Sequence, residues 1–205
     1  IVLDKWLGKE GIDYLREKEL ISMIHAHMDA EDSEIDVIEG RGALNFLMID
    51  KIKVTEEGEL VDANSIIRLP TKVDFPLIPD VSRDADDPFL QLVNASGHHW
   101  VVLADEEGNP LLLLDADAAL RAVLLNKDQP YDLYHFCRRP LVIRDTDKTI
   151  SEVIRHLKSL PSSSKSDDAA IDYDAVLIWG EQPRIITGAD ILGKLLKGIK
   201  STDLE

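Results

Sequence analysis

Arg184-Ile185-Ile186-Thr187-Gly188-Ala189-Asp190-Ile191-Leu192 is the stretch on which the reading of this chain turns. An apolar run ends in Thr187, and helically spaced apolar residues follow Asp190, so the segment reads as a strand passing directly into a helix. Thr187 and Asp190 stand three residues apart, which lets both face one cleft, and a carboxylate in a first helical turn is favoured by the helix dipole. The same two residues also fit a helix cap that needs no ligand.

Working outward, these residues close a unit that occurs twice, with a period of roughly 65 residues. The first copy runs from Phe75-Pro76-Leu77-Ile78 through a helix over Pro88–Ala95, a strand over Trp100–Leu103 and a turn over Asp105–Pro110. A strand over Leu111–Leu114 and a helix over Ala116–Leu124 complete it. The second runs from Arg139–Ile143 through a helix over Thr149–Leu157, a strand over Ala175–Trp179, a turn, the strand Arg184–Ile186 and a helix over Ala189–Gly198. Each copy reads β-α-β-β-α, an α/β (α+β) pattern. Aligning Asp117 with Asp190 sets Leu114 where Thr187 stands, so one good polar pair is expected, on the second copy. Residues 159–174, rich in Ser and Asp, lack apolar periodicity and read as a flexible insertion.

Ahead of the repeats, apolar positions at three- and four-residue steps from Trp6 to Met28 predict one short and one longer helix, and Ile35 to Leu47 continues a helical pattern. Lys51–Pro70 reads as a connector with short strands and a turn at Glu56–Glu59. The resulting division is a helical neck over 1–70, one repeat over 71–127 and a second over 128–205.

The twofold β-α-β-β-α order, with a hairpin feeding the last helix and Thr187 and Asp190 at its junction, resembles the tandem CBS (cystathionine-β-synthase) domain pair. That resemblance implies a non-catalytic module binding AMP, ADP or ATP, with Mg²⁺ accompanying ATP. It assigns the ribose to Asp190, ribose or phosphate to Thr187 and the helix N-terminus at Gly188, and the adenine to Val142 and Ile143. Asp117, Arg138, Arg139 and Arg144 are further candidates. The neck, through Leu3–Gly11, Leu15–His27 and Glu39–Asp50, resembles the cytosolic neck of cyclin-M/CorC-type membrane proteins linked to divalent-cation transport. The implied partners are a second copy and an attached transmembrane domain, on the cytoplasmic side of the membrane. No Met-Thr-Pro precedes the first repeat; Ser65–Pro70 takes that place.

Composition narrows the alternatives. A formal net charge of -16 and a pI near 4.7 oppose binding to a phosphate backbone, so nucleic acid is not an expected partner. Leu111–Leu125 is interrupted by Asp115, Asp117 and Arg121, which is too broken for a membrane span. One cysteine, Cys137, fits a reducing compartment. The start at Ile1, inside structured-looking sequence, suggests a piece of a longer protein. Neither a nucleophile triad nor a glycine-rich phosphate loop nor a Cys-x-x-Cys pair is present, and no enzyme is expected. The His25–Glu31 run reads as a helix end, the pair His98-His99 as one buried and one exposed residue, and Asp84–Asp87 as an acidic cap for the Pro88 helix. The rival to a nucleotide site is a dimerisation and interaction module whose cleft stays empty.

Overall fold

Two four-stranded sheets, each built by both repeats, form the centre of the molecule. The computed structural model describes residues 17–30, 37–73, 75–125, 130–159 and 175–197. The predicted short helix near the amino terminus and most of the Ser-rich insertion lie outside them. Two neck helices, α1 (Glu17–Met28) and α2 (Val37–Ile49), come first. Strands β1 (Glu59–Leu60), β2 (Ile66–Arg68), β3 (Thr71–Lys72) and β4 (Phe75–Pro76) precede α3 (Pro88–Ala95), β5 (Trp100–Ala104), β6 (Pro110–Asp115) and α4 (Ala116–Leu125). The second half carries β7 (Cys137–Arg138), β8 (Leu141–Ile143), α5 (Ile150–Ser159), β9 (Ala175–Ile178), β10 (Arg184–Thr187) and α6 (Gly188–Leu195).

One sheet has the order β2-β5-β6-β7 and the other β1-β10-β9-β8. They are copies of one another. In each, a parallel pair is bridged by a helix, β2 with β5 and β8 with β9, as parallel pairing requires a crossover. An antiparallel hairpin follows, setting Trp100 opposite Asp115 in the first repeat and Ala175 opposite Thr187 in the second. Each repeat gives its first short strand to the other's sheet, so β1 pairs with β10 and β7 with β6.

This arrangement corrects the sequence reading of the first repeat. Its opening strand is β2, not Phe75–Ile78, and the segment read as a connector supplies both β1 and β2. Phe75–Pro76 instead pairs with Thr71–Lys72 in a small separate ladder. Proline has no N–H to donate to a central ladder, whereas Ile67 and Leu69 alternate into the core.

The strands are buried on both faces, which explains their unbroken apolar runs. Val101, Leu103, Leu112 and Leu114 pack beneath Phe89, Leu90 and Val93 of α3 and Ala116, Ala119 and Val123 of α4. Val102 and Leu113 point the other way and meet Ala175, Leu177 and Ile185 of the second sheet. A third cluster joins Ile143, Val176, Ile178 and Ile186 to Ile150 and Val153 of α5 and to Ile49 and Val54 from the neck. Fully burying one such side chain stabilises by about 1.5–3 kcal/mol.

Local chemistry fixes the connections. Asp87 caps α3, accepting from Phe89 N at 2.9 Å and Leu90 N at 3.2 Å, with Pro88 suited to the first helical turn. The predicted turn before β1 contains Gly58 at φ 78, where a Cβ would lie 2.3 Å from Ile185 O. Only glycine fits that approach. In the neck, Gly40 lets α1 and α2 meet, because a Cβ there would stand 2.4 Å from Met28 Cγ.

Candidate functional site

Thr187 ends β10 in an extended conformation and serves as the N-cap of α6. Its Oγ accepts from Asp190 N at 3.4 Å, while Asp190 Oδ2 accepts from Thr187 N at 2.8 Å and from the Thr187 hydroxyl at 2.7 Å. The cap expected as the ligand-free alternative is thus formed. It uses one carboxylate oxygen; among the described contacts Asp190 Oδ1 accepts nothing. Gly188 opens onto free space, since a Cβ there would meet nothing within 4 Å. The N–H groups of Gly188 and Ala189 belong to a first helical turn, which has no intrahelical acceptors for them. A carboxylate oxygen and two helix-terminal donors therefore lie together at an exposed junction, a setting suited to a hydroxylated, anionic ligand.

The remaining assigned residues are distributed across the second sheet. Val142 sits opposite Leu177, on the inter-sheet face shared by Ile185. Alternation along β10 puts Thr187 on this face as well, two strands from Val142: about 10 Å across the sheet and roughly 7 Å along it. Ile143 is on the opposite face, 5% exposed, among Ile150, Val153 and Ile178. Thr187, Gly188 and Asp190 are brought together, Val142 shares their face, and Ile143 does not.

Behind the junction, Asp190 lines a crevice with Ile49, Ile52, Glu57, Ile150, Ile186, Ile191 and Lys194. Its volume is about 10 Å³, far below the roughly 300–1,000 Å³ of small-molecule pockets. An ion pair between Lys194 and Glu57 lies against it. A nucleotide would have to lie on the open side of the junction.

In the first repeat the structure moves the equivalence by one residue. Asp115, opposite Trp100, occupies the position that Thr187 occupies opposite Ala175, and its Oδ1 accepts from Ala118 N at 2.9 Å. Ala118, not Asp117, therefore corresponds to Asp190. Leu114, aligned with Thr187 from sequence, is fully buried in the core, because a one-residue slip on a strand exchanges its faces. Asp117 lies within 3.2 Å of His99 Nδ1 instead. This repeat keeps the strand-end polar residue and lacks the helix carboxylate.

Arg144 and Arg138 have local hydrogen-bond partners. Arg144 donates to Asn109 Oδ1 at 3.0 Å, linking the second repeat to the first repeat's hairpin. Arg138 donates to the carbonyls of His135 and Cys137, and Arg139 is exposed between β7 and β8. His98 is half-buried, 3.0 Å from Glu59 on β1, and His99 is exposed. Burial, with Asp132 nearby, pushes the Cys137 thiol up to about 12, so it is no nucleophile near neutral pH. Among the described residues no group of three His, Cys, Asp or Glu side chains is placed to hold a metal, and no helix is long and apolar enough to cross a membrane.

Sequence reasoning missed two features. Asn45 of α2 donates to Leu195 O at 2.8 Å and Lys197 O at 2.9 Å, at the far end of α6. Tyr131 and Tyr134 donate to Val81 O at 2.7 Å and Pro76 O at 2.9 Å, pinning the segment that leads to α3. Neither has a local pattern, since the partners lie far apart along the chain.

No family model matches the sequence, and no curated protein matches it. Solved structures do match. The CBS domain of the bacterial CNNM/CorC family Mg²⁺ transporter, in complex with the inhibitor IGN95a, aligns at a TM-score of 0.55 and 12% identity, covering 88% of this chain and 97% of that one. A second structure of a CBS domain of this family aligns at 0.53 and 12% identity, covering 88% and 96%. A domain of unknown function from Neisseria meningitidis MC58 aligns at 0.51 and 11% identity, covering 85% and 97%. At these identities the likeness concerns the fold, which is that of a CBS domain pair preceded by neck helices.

Proposed function

We propose, with the CBS-pair fold as premise, that this chain is a regulatory module binding one adenine nucleotide at the junction of β10 and α6. In this reading it is the cytosolic part of a membrane protein linked to divalent-cation transport, works as a homodimer and catalyses no reaction. The observation carrying the proposal is the Thr187–Asp190 pair, with one Asp190 oxygen uncommitted above an open helix N-terminus. Asp190 Oδ1 accepts a ribose hydroxyl, and the N–H groups of Gly188 and Ala189 meet a phosphate. Val142 offers apolar surface to the base. The first repeat, with Ala118 in place of the carboxylate, holds no second site of this kind. Mg²⁺ arrives with ATP and offsets repulsion between its phosphates and an acidic chain.

Isothermal titration with AMP, ADP and ATP, with and without Mg²⁺, tests this. Binding of one nucleotide per chain is expected. A hydrogen bond to a charged group contributes about 1.5–3 kcal/mol, so Asp190→Ala should weaken binding at least about 10-fold. No binding by the folded wild type would favour the second reading, an interaction module with an empty cleft. That reading draws on the capping box, which is complete without a ligand.

A further inference from the structure

The last helix is held at both ends by side chains, and one of these comes from the neck. At its N-terminus stands the Thr187–Asp190 box. At its C-terminus, about 12 Å away by helical rise, Asn45 Nδ2 donates to the carbonyls of Leu195 and Lys197. Leu195 O belongs to the last turn, where carbonyls have no intrahelical partner, and Lys197 O to the turn that follows the helix. Ile191 and Leu195 pack with Ile49 and Ile52, and Lys194 pairs with Glu57, in the segment that follows α2. Asp190, Lys194 and Ile49 line one crevice. A helix of eight residues is too short to be stable alone, and Gly188 and Gly193 weaken α6 further. Loosening either end therefore loosens the whole.

We propose that Asn45 is a positioning residue for Asp190, and that α6 couples occupancy at its N-terminus to the docking of neck helix α2 at its C-terminus. The ligand half of this proposal rests on the nucleotide reading above. Coupling between two sites is reciprocal, so the neck tunes affinity by the factor with which ligand tightens the neck.

Amide hydrogen exchange on the whole chain tests the coupling without ligand. Asn45→Ala should speed exchange at Ile191 and Leu192 at least about 3-fold, and Asp190→Ala should do so across Leu44 to Ile49, because α6 moves as one cooperative unit. Effects confined to the mutated end would overturn the proposal, since sites this far apart ordinarily act independently. If Asp190→Ala fails to fold, Asp190→Asn, which retains an acceptor for Thr187, replaces it. With Mg²⁺–ATP, the wild type should gain protection across Leu44 to Ile49, and Asn45→Ala should bind about 3- to 10-fold more weakly with its first repeat's protection unchanged. Nucleotide binding with neither change would overturn the coupling. Absence of wild-type binding would overturn the nucleotide reading, and the ligand-free exchange would still decide the coupling.

Discussion

Asp190 closes the capping box through Oδ2, and among the described contacts its Oδ1 accepts nothing, so the ligand contact proposed for it would not compete with the cap for the same oxygen. Asp87 illustrates a purely structural carboxylate. Burial alone would raise its carboxyl, but hydrogen bonds from Ser82 N and Oγ, Leu90 N and Phe89 N outweigh burial and hold it below its ordinary value. Because the folded group is the stronger acid, its stabilisation is complete above the unfolded pKa, about 3.9, and is lost as pH falls through the lower folded value. Asp87→Ala should cost about 2 kcal/mol at pH 7, near the top of the range for N-caps. That difference should shrink as urea melts are repeated below about pH 4, and a difference constant with pH would contradict the assignment.

At the level of elements, the central strands pack against helices on one face and against the opposite sheet on the other, and Leu177 lies on the inter-sheet face. Leu177 is fully buried there, and Leu177→Ala should destabilise by about 2–5 kcal/mol in chemical denaturation. Leu92 is 55% exposed on α3, and Leu92→Ala should change stability by under about 0.5 kcal/mol. Equal effects would mean that the inter-sheet core is misplaced. Most elements were legible from sequence because their signals are local. Pro88–Ala95 matches in both ends, Asp87 caps it, and the helix after Thr187 begins at Gly188, one residue ahead of the expected Ala189, and ends at Leu195, short of the expected Gly198. Strand β2 reads from sequence as one of the connector's short strands and not as the opening strand of the first repeat, for a physical reason: three residues, Ile66–Arg68, are too short to show a period, and Pro70 draws the boundary too late. The slip between Asp117 and Ala118 has a similar origin. Leu111–Leu114 is apolar at every position, so nothing in the sequence sets its register until Trp100 is seen opposite Asp115.

For the whole molecule, the exchanged strands mean that neither repeat is complete alone. β1 closes the second repeat's sheet and β7 the first's, and Val54 and Ile52 tie the neck exit to α5 through Val54 N to Lys148 O at 3.0 Å and Ile150 N to Ile52 O at 2.9 Å. The division at residue 70 suggested by the sequence cuts through this exchange. A fragment of residues 71–205 lacks β1 and β2 and should show no cooperative thermal transition by circular dichroism, whereas the full chain should. A fragment melting as sharply as the full chain would contradict the exchange. The neck likewise belongs with the repeats: Ile49 lies in the second repeat's core and Asn45 on its last helix.

The central claim is that one nucleotide site exists and that it lies on the second repeat. Backbone amide NMR during titration with AMP and with Mg²⁺–ATP tests it directly. The account predicts saturable shifts at Thr187 to Ile191 and at Val142, with Asp115 to Ala118 unmoved. Shifts centred on Asp115 to Ala118, or none anywhere in a folded chain at millimolar nucleotide, would contradict it.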